Sequence, residues 1–322
     1  MFEPKDLVEG VPISYQQPLH TLTTLRAGGS AEMFSVAKTG DELAAAIALA
    51  HRRDWPLTIL GGGSNMLPSD DGVPGLVVMN LARTIKMLPG DQIFAETGCW
   101  IQDVFLFAAQ RGLKGLEYAV GIPGTLGGAL VSNAGAYRSN VSSVVTELDV
   151  VERGERKMTD ASIMGFAYRD SVLRKENPPK LGVISVVLQL SAAPRKAILD
   201  DARNYQRQRI SKQPAPASAG SFFKNVEDFE FAQQFTDLNE GMRANGVVPA
   251  GYLIEKAGLK GFRLGGAMLG ARHANFILNV GAASAFEIRR LAQYTKGVVE
   301  EKFGRRLEEE VLYLGDWSRF TL

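Results

Sequence analysis

Residues 121–137 read GIPGTLGGALVSNAGAY, a run with five glycines and no charged side chain. Gly121, Gly124, Gly127 and Gly128 carry no Cβ, so the backbone can enter the left-handed region there and a flat or anionic ligand can lie against bare amides. Pro123 fixes one turn among them. The spacing of Gly124 and Gly128 is also met on closely packed membrane helices. The Pro123-Gly124 pair and Asn133 interrupt such a helix, however, and too little of the run is strongly apolar to cross a hydrocarbon core of about 30 Å. Glycine content alone leaves two readings open, a ligand-cradling loop and a packing segment.

A second glycine string, Leu60-Gly61-Gly62-Gly63-Ser64-Asn65, follows the apolar run 56–60. A strand that ends in three flexible residues and two short polar side chains can seat a pyrophosphate. Successive backbone N–H groups form an anion nest without a lysine, and Ser64 and Asn65 add side-chain bonds. A tight turn is the plainer alternative. Apolar spacing predicts a strand at 32–36, a helix at 41–53 behind the acidic Asp41-Glu42, and strands at 56–60 and 75–81. That β-α-β unit delivers the string at the carboxyl end of a strand, where open α/β sheets bind ligands.

Polar residues near Gly90-Asp91 suggest a boundary. A second unit follows with a strand at 93–97, a helix at 100–111, the opening glycine run, and strands at 145–152 and 183–190. A third has a charged helix at 195–210, a helix at 249–257, an apolar run at 276–278, a helix at 285–303 stopped by Gly304, and a strand at 309–314. Neither GxGxxG nor GxxxxGK[ST] occurs, so a dinucleotide bound here is held by another device.

At 322 residues, with 45% hydrophobic and 22% charged side chains, the chain reads as soluble and globular with two or three domains. Lys+Arg of 36 against Asp+Glu of 35 leaves a formal charge of +1. Such a balance offers no field for nucleic acid or an anionic membrane, so any anion site is local. The single cysteine, Cys99, excludes an internal disulfide and fits a reducing compartment. The scattered His20, His51 and His273 speak against a zinc site, and no metal is expected. MFEPKDLVEG lacks the basic-then-apolar pattern of a signal peptide, so a cytoplasmic protein is expected.

Single residues are ambiguous by themselves. Arg169, between Tyr168 and Asp170, reads as a surface salt bridge when taken alone. Ser221, before Phe222-Phe223, lacks a nucleophile elbow and reads as a turn or cap serine. Of Glu308, Glu309 and Glu310, alternation puts the outer two on one face, and two of the three are expected to be solvated. His273 reads as a satisfied structural histidine.

Taken together the strings resemble the UDP-N-acetylenolpyruvoylglucosamine reductase (MurB) family over nearly the whole chain. The resemblance is carried by TLR at 24–26 with Gly28-Gly29, LGGGSN at 60–65, GIPGTLGGA at 121–129, NAGAY at 133–137 and YRDS at 168–171. It continues through SAGSFFKN at 218–225, GYLIEKAGLKGFRLGGA at 251–267 and LEEEV at 307–311. It departs at Arg138, where the family has glycine, and at Val226, where proline is frequent. The short segment after Leu190 resembles the branch without an inserted tyrosine loop, although SAGSFFKN is closer to the other branch.

The resemblance implies an α+β fold: a two-part FAD-binding module of the vanillyl-alcohol-oxidase (PCMH) type, residues 1–82 and 83–194, and a substrate-binding α+β domain at 195–311. The tail 312–322 would pack back on the first part. It implies non-covalent FAD held by Leu60, Gly61, Gly62, Gly63, Ser64 and Asn65, by Gly121, Ile122, Pro123, Gly124, Thr125, Gly127, Gly128 and Ala129, and by Asn133, Gly135, Ala136 and Tyr137. NADPH would be the hydride donor, and the enolpyruvyl ether of UDP-N-acetylglucosamine the substrate, in peptidoglycan precursor synthesis by a monomer. Tyr168, Arg209, Lys212, Asn225 and His273 match substrate-binding positions. Arg169 matches the cation that stabilises an enolate, Ser221 the proton donor, with Lys212 and Lys224 as cationic neighbours, and Glu310 the polarising carboxylate. The alternatives are a sugar or alcohol oxidase on the same scaffold and a flavin- or nucleotide-binding protein without turnover.

Overall fold

The helix Gly40–Arg52 forms because Leu43, Ala46, Ile47 and Ala50 share one face, and all four are fully buried or nearly so. Thr39 caps it, its Oγ1 accepting from Glu42 N at 3.2 Å. In this computed structural model, which describes residues 5–210 and 217–321, the helix crosses from the strand Ser30–Ala37 to the strand Leu57–Leu60. Both run parallel to Val73–Asn80, which lies between them. The antiparallel strands Val11–Pro18 and Asp6–Val8 complete a five-stranded sheet. The string 60–65 thus leaves the carboxyl end of a parallel strand, as its sequence predicts.

A second five-stranded sheet is antiparallel throughout, in the order Glu155–Asp160, Val145–Glu152, Leu181–Gln189, Gln92–Glu96, Ile85–Leu88. Its central strand Leu181–Gln189 is buried along all but its last residue, which explains a sequence that is apolar before Gln189 except at the buried Ser185. Gly90 and Asp91, expected at a boundary, instead turn a hairpin inside this sheet, both at positive φ (73° and 59°). The helices Ile101–Ala109 and Arg195–Ile210 belong with this sheet's core.

The chain divides into two compact units. The first comprises the described parts of Met1–Pro18, Ser30–Gly63 and Val73–Ser211, and the second those of Leu19–Gly29, Ser64–Gly72 and Lys212–Leu322. Helix Arg195–Ile210 therefore goes with the first unit rather than with the third domain the sequence reading gave it. The second unit is built on a four-stranded antiparallel sheet, Ala217–Ser221, Phe276–Asn279, Ala267–Leu269 and Arg263–Leu264. Against it pack Ala250–Lys256 and Ala285–Phe303, the latter opened by a Ser284/Glu287 capping box and closed by Gly304 at φ 65°. The strand expected at 309–314 begins only at Leu312, and Leu312–Leu314 runs parallel to Met66–Pro68. Among the described residues no helix is long and apolar enough to cross a membrane.

Candidate active site

In the first unit the two glycine strings lie side by side. A Cβ placed on Gly61 would fall 2.2 Å from Thr125 Oγ1, and one on Gly62 would fall 2.7 Å from Trp100 Cζ3 and 3.2 Å from Gly124 Cα. The glycines therefore pack, and that packing brings two stretches of backbone together. Gly121 (φ 72°) and Gly124 (φ 134°) take the left-handed conformation expected of them. Gly127 and Gly128 do not, because they lie in the short helix Leu126–Val131 capped by Thr125. The amides of Leu126 and Gly127 are not bare either; they donate to Cys99 O and Thr97 O, both at 2.8 Å. Gly127 is small because Thr97 is close, with Cβ 3.1 Å from where its own Cβ would be.

The NAGAY segment is a hairpin. Gly135–Ala136 pairs with Ser139–Asn140, and the two loop residues, Tyr137 (φ 54°) and Arg138 (φ 65°), are both left-handed, the requirement of a type I′ turn. Arg138 thus occupies a conformation that favours glycine, at a cost of about 1 kcal/mol. The Tyr137 ring stacks on Tyr205 with centroids 3.9 Å apart, and its hydroxyl donates to Tyr205 O at 3.1 Å. This seats the helix that carries Arg209. Asn133 serves the scaffold: its Nδ2 donates to Ala167 O at 2.9 Å while its Oδ1 accepts from Ser142 N at 3.2 Å.

That bond joins NAGAY to YRDS, 34 residues on. Ala167 and Asp170 exchange backbone hydrogen bonds at 3.1 and 3.2 Å, placing Tyr168 and Arg169 at the tip of a tight turn. Arg169 is held at φ 51°, a conformation uncommon outside glycine. Arg209 Nη2 donates to Tyr118 O at 3.2 Å, and its Nε is buried with no hydrogen-bond partner among the described residues. Burial pulls the Arg209 guanidinium below the usual arginine value; the Tyr137 phenol opposes this and the Arg169 charge adds to it. Arg209 Cδ lies 3.0 Å from where a Cβ on Gly121 would be. A buried cation beside bare backbone, near a second cation, is a setting for a phosphate or carboxylate.

In the second unit a β-bulge aims Ser221. Ser218 pairs with Leu278 and Ser221 with Phe276, so three steps on one strand face two on the other, and Gly220 absorbs the extra residue at φ 77°. Phe222 and Phe223, buried to 0% and 1% exposure, wall off the side behind it. Buried Asn275 clamps Phe223 at two points, accepting from its N–H at 3.0 Å and donating to its carbonyl at 2.8 Å. Glu310 N donates to Phe222 O at 2.8 Å, so residues 221 and 310 become neighbours across the backbone.

The three glutamates separate by environment. Glu308 is the solvated one, pairing with Lys224 at 3.3 Å. Glu309, also among those expected in solvent or facing away, is largely buried, taking Lys296 Nζ at 2.6 Å and Gln293 Nε2 at 2.9 Å. Two solvated glutamates were expected and one is found. Glu310 Cα is tied from a second side, its carbonyl accepting from Asn65 Nδ2 at 3.1 Å.

Of the expected substrate residues, Asn225 Oδ1 accepts from Ala250 N at 3.3 Å at the start of a helix. His273 Nδ1 accepts from Asn275 N at 3.3 Å, and its ring packs 4.9 Å from Phe276. Lys212 lies outside the described residues. Sequence reading missed Trp100, Tyr205 and Asn275; none belongs to a motif, and each acts through a contact distant in sequence.

The two strings supply backbone donors and no carboxylate, with Arg209 beside Gly121, a donor set that suits the pyrophosphate of a flavin dinucleotide. A family model described as "FAD binding domain" matches residues 31–159, and one described as "UDP-N-acetylenolpyruvoylglucosamine reductase, C-terminal domain" matches residues 211–314. The protein is thus an FAD-dependent oxidoreductase of α+β fold, with an FAD-binding region and a C-terminal α+β region. UDP-N-acetylenolpyruvoylglucosamine reductase from Synechococcus sp. is 40% identical over 305 residues, which is 94% of this chain and 91% of that protein. The one from Acaryochloris marina is 38% identical over 312 residues, 94% of this chain and 93% of that protein. The solved structure of the Thermus caldophilus enzyme (MurB) matches with a TM-score of 0.73 at 31% identity, covering 94% of this chain and 98% of its own. The chain belongs to the UDP-N-acetylenolpyruvoylglucosamine reductase family.

Proposed function

We propose that this protein reduces the enolpyruvyl ether of UDP-N-acetylglucosamine to UDP-N-acetylmuramate, with NADPH as electron source, as a monomer in the cytoplasm. FAD, when bound, supplies the hydride that goes to C3 of the vinyl group. The chain's own work is to hold the cofactor, to stabilise the charge that moves onto the substrate carboxylate, and to deliver a proton to C2. We assign the cofactor to the glycine strings 60–65 and 121–129 and the segment 133–137, with Asn133 and Gly127 acting through the scaffold. Residues 1–82 and 83–194 serve as the two parts of the flavin module, the helix Arg195–Ile210 contributes Arg209 to the anion site, and the remainder of 195–311 serves as the substrate domain.

Arg169 is the cation for the enolate: its turn fixes a planar guanidinium that contacts a carboxylate at two points. Ser221 donates the proton. An alcohol is a weak acid in water, so the role demands a dry, rigid setting, toward which the bulge at Gly220 and the buried Phe222-Phe223 pair behind the half-buried Ser221 contribute. Glu310 polarises the vinyl group from the neighbouring backbone. Tyr168, Arg209, Lys212, Asn225 and His273 bind the UDP-sugar. The observation that carries the reading is the juxtaposition of residues 221 and 310 through the Glu310 N to Phe222 O bond.

Ser221→Ala tests it by rapid mixing of the two half-reactions. FAD content and bleaching by NADPH should stay near normal, while reoxidation by the enolpyruvyl substrate slows by about 10²–10⁴-fold, the usual size of general acid catalysis. Reoxidation at the parent rate would make Ser221 a turn residue.

A further inference from the structure

The second unit contains a cluster that the proposed chemistry does not use. Arg289, on the helix Ala285–Phe303, has its Cζ 4.8 Å from the Tyr313 ring and 4.5 Å from each of the Trp317 and Phe320 rings. Its Nε and Nη1 are buried and have no hydrogen-bond partner among the described residues. A guanidinium desolvated in this way is held by the aromatic faces. Phe286, one turn back, packs on Trp317 and Phe320 with centroids 5.6 and 5.9 Å apart.

All three cage rings come from the segment after Glu310, and that segment is stitched to residues 64–72. Leu312–Leu314 pairs with Met66–Pro68, and Ser69 N donates to Leu314 O at 2.8 Å. Asp316 N donates to Gly72 O at 3.2 Å, and Arg319 pairs with Asp71. Asp70 meanwhile caps the Arg289 helix, its carboxylate accepting from Ala285 N and Phe286 N, each at 2.9 Å. At the other end of the stitched segments, Leu312 N donates to Asn65 O at 3.1 Å and Asn65 Nδ2 donates to Glu310 O. A short two-stranded parallel pair is weak by itself. Here it is closed at one end by the Arg289 cage and carries Asn65 and Glu310 at the other.

We infer that the Arg289–Tyr313–Trp317–Phe320 cage is a positioning device, a clasp that fixes the register of Leu312–Leu314 on Met66–Pro68 and through it the placement of Glu310 and Asn65. The inference rests on the role proposed above for Glu310, but one arm of its test does not. Arg289→Met keeps the bulk and removes the charge; Arg289→Lys keeps a cation in the cage.

In the FAD-loaded full chain, hydrogen exchange in peptides covering 64–72 and 310–316 should rise together by about tenfold or more in Arg289→Met, with the centre of the helix Ala285–Phe303 as protected as in the parent. Reoxidation of the flavin by the enolpyruvyl substrate should slow by about tenfold while NADPH bleaching changes by less than about twofold, and Arg289→Lys should recover much of both effects. Parent-like exchange in Arg289→Met overturns the clasp. Faster exchange with unchanged reoxidation overturns the positioning role. If Arg289→Met loosens the whole helix, Arg319→Gln, which removes only the tie to Asp71, takes its place under the same two criteria. A parent protein whose flavin the substrate does not reoxidise refutes the proposed function, and the exchange arm still decides the clasp.

Discussion

Placing an alanine at Gly62 introduces one carbon into a space that Trp100 already fills. Gly62 is not at positive φ, so the effect is purely steric. The new Cβ would lie 2.7 Å from Trp100 Cζ3, 3.1 Å from Cη2 and 3.2 Å from Gly124 Cα, against a comfortable carbon–carbon separation of about 3.5–4.0 Å. The indole cannot simply swing away, because Trp100 begins the helix Ile101–Ala109 and Arg83 covers its ring at 5.3 Å. Overpacking of this kind costs about 1–3 kcal/mol. If the strings relax apart without cofactor, the strain falls on the loaded state alone, and FAD affinity drops by about 5- to 150-fold.

Flavin fluorescence titration measures the affinity, and urea unfolding of the cofactor-free protein measures what the scaffold itself loses. A double-mutant cycle with Trp100→Leu identifies the cause. Deleting the two benzo carbons should return most of the loss, leaving only the tighter approach to Gly124, so the two substitutions should be non-additive by about 1 kcal/mol or more. Additive effects would refute the reasoning, since the ring would then not be what the Cβ meets. Full flavin occupancy in Gly62→Val, a larger intrusion still, would refute the cradle.

Arg169→Lys keeps the charge but loses the planar two-point contact, so reoxidation by substrate should fall markedly and NADPH bleaching much less; equal loss in both would indicate a structural arginine. Lys296→Met strands the Glu309 carboxylate, whose side chain is 15% exposed, and should destabilise the protein by about 2–4 kcal/mol in urea, with Glu309→Gln added to it restoring most of the loss. A cost below about 0.5 kcal/mol would mean that Glu309 rehydrates. His51 is held below its ordinary value of 6.5 by burial and then by the Lys180 charge, and its Nδ1 accepts from Gly154 N at 3.1 Å. Above 6.5 both folded and unfolded chains carry it neutral. As pH falls below 6.5 the unfolded chain takes up the proton first, so stability declines until the depressed folded value is passed. His51→Gln should flatten that part of the stability–pH curve; an unchanged slope would place the titration elsewhere.

What the sequence determined by itself was local. Periodicity located Arg195–Ile210 and Ala285–Phe303 to the residue and placed 60–65 after a parallel strand, because helix faces and capping are decided within a few turns of chain. The ordered motifs were enough to identify the family, and with it the flavin, since bare backbone and phosphate chemistry are written in the glycines themselves. Only the tertiary structure decided what each small residue is small for. Gly61 and Gly62 accommodate Thr125 and Trp100, Gly127 accommodates Thr97, and Gly220 turns a bulge, whereas sequence alone left the glycine strings open between a ligand cradle and packing or a turn and gave Gly220 no role. It likewise separated Glu309 from Glu310 and closed a cage on Arg289 with residues 24 to 31 positions further on. Such partners are chosen by packing between segments far apart in the chain, and no spacing rule along the sequence reports which surfaces will meet.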